Sequence, residues 1–115
     1  MADNSPMMIW LTDEDKKIEF VNEAWLDYRG KVLDESIGKD WIEENIHIDD
    51  VQTTKKKFDE SFDKRKEFTL LYRLKKNGSY KLLLSKGKPS YAAEGNFNGF
   101  IGSCVEMPEQ AGGEK

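Results

Sequence analysis

Cysteine and histidine are almost missing from this chain. Cys104 stands alone among 115 residues, which excludes an internal disulfide and any multi-cysteine metal site. His47 is equally alone, so no second histidine can complete a metal site with it. No apolar run approaches the roughly 18 residues a membrane helix needs, and mean hydropathy is -0.75, so no membrane insertion is expected. No basic start followed by an apolar stretch and a small-residue cleavage site reads as a secretion signal. Basic excess is also lacking: the net charge of -4 has the wrong sign for a nucleic-acid binder. Gly-x-Ser-x-Gly and phosphate-cradling glycine loops do not occur, so no enzymatic activity is expected. These absences suit a protein of the reducing cytoplasm.

What remains is 35% charged and 37% hydrophobic residues, enough for one soluble domain with one core. Residues 1–5 read as a flexible start, 6–107 as the domain, and 108–115, rich in glycine and polar residues, as a tail or linker stub. Met7 to Thr12 and Ile18 to Val21 have strand character and should form a hairpin across the polar turn Asp13 to Lys17. Asn22 is a candidate helix N-cap, with Val21 and Leu26 at staple spacing and Gly30 at the C-cap. Leu33 to Ile37 is at most one helical turn. Asp40 with Glu43 predicts another short helix, carrying Ile42 and Ile46 on one side. Asp49 with Gln52 predicts the cap of the longest helix, running to about Asp63, with Val51, Phe58 and Phe62 on one face. Lys55-Lys56-Lys57 on that helix reads as a solvated face. Phe68 to Leu74 and Tyr80 to Ser85 flank Asn77-Gly78, a strong hairpin signal. Pro89 to Asn96 is expected as a loop before a closing strand, Phe97 to Val105. The order predicts an α+β domain with an antiparallel sheet.

That order, with Gly38-Lys39-Asp40-Trp41, His47-Ile48-Asp49-Asp50, Tyr72-Arg73, Asn77-Gly78-Ser79-Tyr80 and Gly99-Phe100-Ile101-Gly102-Ser103, resembles the PAS family from about Asn4 to Met107. The resemblance is to the subtype that carries Gly-x-x-Trp and then His-Pro-Asp-Asp. It implies a five-stranded antiparallel sheet with several short helices and one longer helix packed on one face. It also implies a sensory module that binds a small ligand or a protein partner and relays its state to a dimer partner or to a C-terminal output domain such as a histidine kinase. Several positions depart from the family pattern. Ile48 replaces proline, and Lys16 replaces a turn glycine. Leu71, Leu82 and Ser85 replace acidic, tryptophan and acidic residues. Glu106-Met107-Pro108 replaces the closing Asp-x-Thr, and Pro108 lacks the amide a cap would use.

The hairpin register predicts two faces. A two-residue turn at Asn77-Gly78 sets Lys76 against Ser79, Arg73 against Leu82 and Leu71 against Leu84. Leu71, Arg73, Leu82 and Leu84 then form an outer, partly apolar face, a candidate interface for a second copy or a flanking segment; the alternative is that one end of the chain folds over it. Phe68, Leu70, Tyr72, Leu74, Leu83 and Ser85 point inward. With Ile42, Ile46, Val51, Phe58, Tyr72, Leu83, Ser85, Phe100 and Cys104 as candidate lining, an inner pocket would suit an unidentified, apolar or weakly polar small ligand; the alternative is a filled core and a purely structural dimerisation module. Arg73, on the outer face, is the one candidate counter-charge, which argues against a charged guest. Asn22, Trp41, His47, Asp49 and Asp50 are read as structural motif residues. His47 as a haem ligand, or as the acid–base group of a small enzyme with Asp49 or Asp50, is the remote alternative. By the same resemblance, haem would need a histidine on the long helix and a flavin adduct a cysteine between Trp41 and Ile46. Neither is present, so no cofactor and no metal are expected.

Overall fold

The computed structural model describes residues 7–108; the expectations for 1–5 and for the tail past Pro108 lie outside the described residues. In chain order the elements are β1 (Met8–Thr12), β2 (Ile18–Val21), α1 (Glu23–Arg29), α2 (Leu33–Ser36), α3 (Ile48–Asp63), β3 (Phe68–Lys76), β4 (Ser79–Tyr91) and β5 (Phe97–Glu106). The five strands form one antiparallel sheet in the order β2-β1-β5-β4-β3. This is the expected α+β architecture.

Asn22 does two jobs. Its side-chain oxygen accepts from the Trp25 amide at 3.1 Å, capping α1, and from the Ile9 amide at 3.0 Å, pinning β1. Gly30 ends α1 in the left-handed region at φ 66°, as its C-cap position predicts. The β3–β4 hairpin has the predicted register, with Lys76 facing Ser79, Arg73 facing Leu82 and Leu71 facing Leu84. Asn77 and Gly78 both take positive φ, 53° and 86°, as a two-residue hairpin turn requires.

Three expectations are corrected. No helix forms between Asp40 and Ile46, because the residues that would cap it are used elsewhere. The Asp40 carboxylate accepts from Lys17 Nζ, and Glu43 binds Arg29. The segment is held instead by isolated bridges, Lys17 with Asp40 and Ile46 with Leu74. The cap of α3 is His47 rather than Asp49: Nδ1 of the ring accepts from the Asp49 amide at 3.0 Å, and Asp49 and Asp50 lie in the first turn, where negative charge is favoured. Ile48, the first residue of that helix, is 78% exposed at a position that also accepts proline. Finally, Pro89 lies inside β4 and faces Phe100. Past Gly87, β4 pairs with β5 alone, an edge where a missing amide is tolerated. The connection shortens to residues 92–96, closed by the Ala92 amide donating to the Asn96 carbonyl.

The helices cover one face of the sheet, and the core lies between. Trp10, Gly102, Gly87 and Phe68 are cross-strand neighbours in one row on that inner face. A methyl group on Gly102 would overlap the Trp10 indole, and one on Gly87 would come within 2.7 Å of the Phe68 ring. The two glycines let these rings lie against the backbone.

Candidate functional site

The core has two ends of opposite character. At one, Trp41 stacks on Phe58 with centroids 4.6 Å apart, Trp10 stacks on Phe68 at 6.0 Å, and Phe62 stacks on Phe100 at 4.9 Å. Trp10, Phe58, Phe62 and Phe100 are each no more than 1% exposed. Rings therefore fill the space between sheet and α3 where a guest would otherwise lie.

At the other end lies a charge. Arg29, the last residue of α1, donates through Nε and Nη2 to the two Glu43 carboxylate oxygens, each at 2.7 Å. Its side chain is 5% exposed and that of Glu43 is 18% exposed. The guanidinium lies 4.1 Å from the Trp25 ring, and Nη1 reaches Met8 Sδ at 3.1 Å. Burial works against the Arg29 charge, and the Glu43 carboxylate more than offsets it, so the guanidinium is held above its ordinary value. The Tyr72 hydroxyl lies 3.9 Å from Cys104 Sγ. Burial pushes both of these groups up, with Glu43 adding to the effect. Ser85 is fully buried, and its hydroxyl has no partner among the described residues.

The nine candidate lining residues are thus divided. Phe58 and Phe100 belong to the aromatic end. Tyr72, Ser85 and Cys104 stand toward the polar end, with Leu83 beside Tyr72 in the sheet. Ile46 is buried, while Ile42 and Val51 pack half-buried at the margin. Of the nine, only Ile42 lines the cleft of about 660 Å³ between α1, α2 and residues 39–45. Arg29, Glu43, Trp25, Trp41 and Ser36 line it too. The expectation that the protein offers no buried counter-charge is overturned by Arg29. Its partner Glu43 is 14 residues away, a separation at which spacing alone does not reveal the pair. The signal that could have found it is Trp25 with Arg29 at i, i+4, where an aromatic face can shelter a guanidinium.

The outer face of the sheet carries Leu71 (57% exposed), Leu82 (43%) and the half-buried Leu84. Arg73 stands among them but is not free. It donates from Nε and Nη2 to Asp50 at 2.9 and 2.8 Å, and its amide donates to the same carboxylate at 2.9 Å. These hydrogen bonds from Arg73 hold the Asp50 carboxyl below the usual carboxylate range. His47 packs its ring 4.7 Å from Tyr80 and gives its own amide to the Arg73 carbonyl. With Nδ1 used as a cap and Asp50 bound to Arg73, His47 and Asp50 form a structural joint between α3 and β3. Among the described residues, no group of three or more His, Cys, Asp or Glu could hold a metal ion. The register adds Phe20, Ile9, Leu11, Ile101 and Val105 to the outer face, which the hairpin alone could not show.

The family profile described as PAS fold matches residues 18–104. The chain belongs to the PAS family. A protein of Sinorhizobium fredii named only as uncharacterized protein y4lL is 31% identical over the whole chain, which spans 14% of that protein's length. Among solved structures, this PAS domain is similar to the PAS domain of BvgS from Bordetella pertussis (18% identity, TM-score 0.64, 91% of this chain and 77% of that one). It is similar to the Drosophila melanogaster Cycle PAS-B domain with bound ethylene glycol (17%, 0.70, 87% and 99%). It is also similar to the light-state dimer of the fungal blue-light photoreceptor Vivid (18%, 0.70, 92% and 80%). At such identities the structural likeness speaks of fold. PAS domains are commonly sensory modules rather than catalysts.

Proposed function

We propose that this PAS domain is a cytoplasmic, non-enzymatic signalling module that associates with a second copy through the outer face of its sheet and relays that state to an output domain, such as a histidine kinase, after Glu106. The observation that carries this reading is the outer face itself. Leu71 and Leu82 stand out from it, and a hollow of about 510 Å³ beside them is lined by Ile9, Thr69, Ile101 and Ser103 among others. A ridge and a hollow on one face can be complementary to themselves about a two-fold axis. The aromatic filling of the core favours this over a small apolar guest between sheet and α3. Vivid, described as a light-state dimer, offers an analogy of fold. Relay has a physical route as well. The Tyr28 hydroxyl of α1 donates to the Glu106 carboxylate at 2.8 Å, so the last residue of β5 is tied to a helix 78 residues earlier. No helix among the described residues is long and apolar enough to cross a membrane.

The test is the double variant Leu71→Lys, Leu84→Lys, followed by sedimentation equilibrium over a concentration series. Wild type should move from monomer to dimer mass, and the variant should stay monomeric with unchanged circular dichroism. An identical mass curve for both proteins would reject the interface.

A further inference from the structure

The cleft between α1, α2 and residues 39–45 lies away from the outer sheet face, and its floor is unusual. A buried ion pair contributes little net stability compared with apolar side chains of the same size, because both charges must leave water. Yet Arg29 and Glu43 form such a pair beneath an open space of about 660 Å³. Beside them in the lining is Ser36, 3% exposed, whose hydroxyl has no partner among the described residues. A buried hydroxyl without a partner is uncommon in native proteins and marks a place where another molecule could supply the bond. The remaining lining decides the sign of that molecule. Carboxylates of Asp34, Glu35, Asp40, Glu43 and Glu44 outnumber the cations Arg29, Lys31 and Lys39. Arg29 is neutralised by Glu43, whose two oxygens keep lone pairs beyond the two bonds they accept. Asp40 is engaged by Lys17, and Glu35 caps α2 through the Val32 amide, whereas Asp34 and Glu44 are exposed. Trp25, Trp41 and Ile42 supply apolar wall.

From this we infer that the cleft is a binding site for a small organic ammonium with a short apolar body, its charge on Glu43 and its body against Trp25, Trp41 and Ile42. A net acidic concave wall raises the local concentration of cations.

The probe is n-butylammonium chloride, titrated into the isotopically labelled 115-residue chain and followed by amide chemical shifts, with butanol and sodium butyrate in parallel at matched ionic strength. Butylammonium should give saturable shifts at Ser36, Trp41 and Glu44 that neither control reproduces. Glu43→Gln should weaken binding about tenfold, the loss of one charge-assisted bond. Should that variant fail to fold, the exposed pair Asp34→Asn, Glu44→Gln should still weaken it about threefold, as expected of rim charges. Equal shifts from butanol or butyrate, shifts that never saturate, or an unchanged affinity in the rim variant would each overturn the assignment.

Discussion

The two ends of this core share one sheet and differ in how they are closed. At the aromatic end, glycines at positions 87 and 102 surrender their side-chain volume so that Trp10 and Phe68 can lie on the strands, and Trp41, Phe58, Phe62 and Phe100 complete the packing. At the polar end, Met8 meets a buried guanidinium beside a cleft, with Tyr72 and Cys104 near it. One end is held by dispersion and burial, which have no direction and no partner to lose. The other is held by a directional pair in which each charge depends on its mate. Loss of packing and loss of a partner therefore have different signatures, and that difference can be measured.

The largest effect should come from the aromatic end. Phe58→Ala removes a ring that is 1% exposed and in contact with Trp41, Phe62 and Phe68. The expected loss is about 3–5 kcal/mol in urea unfolding, the range for a buried phenylalanine whose cavity cannot collapse. A loss under about 1 kcal/mol would mean that the rings line a space instead of filling one, and the contrast between the ends would fall.

The polar end should respond in a way that packing cannot imitate. Glu43→Gln alone leaves Arg29 buried without a counter-charge, at a cost of about 2–3 kcal/mol, discounted from a fully buried pair because Glu43 is partly exposed. Replacing both, Arg29→Met with Glu43→Leu, removes the unmatched charge and should return stability to within about 1 kcal/mol of wild type. At the aromatic end a second truncation can only add to the first. If the double variant at the polar end were as unstable as the sum of its parts, the pair would be packing like any other contact.

How far this contrast was legible in the sequence depends on the range of each interaction. Alternation in β3 and the Asn77-Gly78 turn specify register locally, so the facing of Leu71 to Leu84 and of Arg73 to Leu82 followed from a dozen residues. Asn22 announced its cap because a cap acts within three residues. The segment after Asp40 misled for the opposite reason. A capping-box pattern states what two side chains can do locally, and here both had better partners far away, Lys17 and Arg29. The two glycines at 87 and 102 carry no side-chain signal of their own; only the register sets them beneath rings from other strands. The aromatic filling and the buried charge are both products of tertiary contact, which a single sequence carries only as hydrophobic count and charge.

The smallest expected effect concerns the clasp at the edge of the aromatic end. Lys16 stands where the family resemblance expects glycine and takes φ 71°, a left-handed conformation costing a non-glycine residue about 1–2 kcal/mol. It is compensated by its side chain, which reaches Asp59 and Asp63 of α3 at 3.2 Å each and lies 5.5 Å above the Phe62 ring. Lys16→Gly relieves the backbone and loses the clasp, so it should fall within about 0.5 kcal/mol of wild type; Lys16→Ala keeps the strain, loses the clasp and should cost about 1 kcal/mol. Acid separates the two contributions. Burial tends to raise the Asp59 carboxyl, but Lys55 and Lys16 outweigh it and hold the group below its ordinary value. A carboxyl depressed in the folded state adds stability that is complete above its unfolded value and is lost as pH falls through its folded one. The deficit of Lys16→Ala relative to wild type should therefore shrink as pH drops below about 4, while the strain it shares with wild type stays constant. A deficit independent of pH would place the whole role of Lys16 in its contact with Phe62, making the clasp a further piece of the aromatic end.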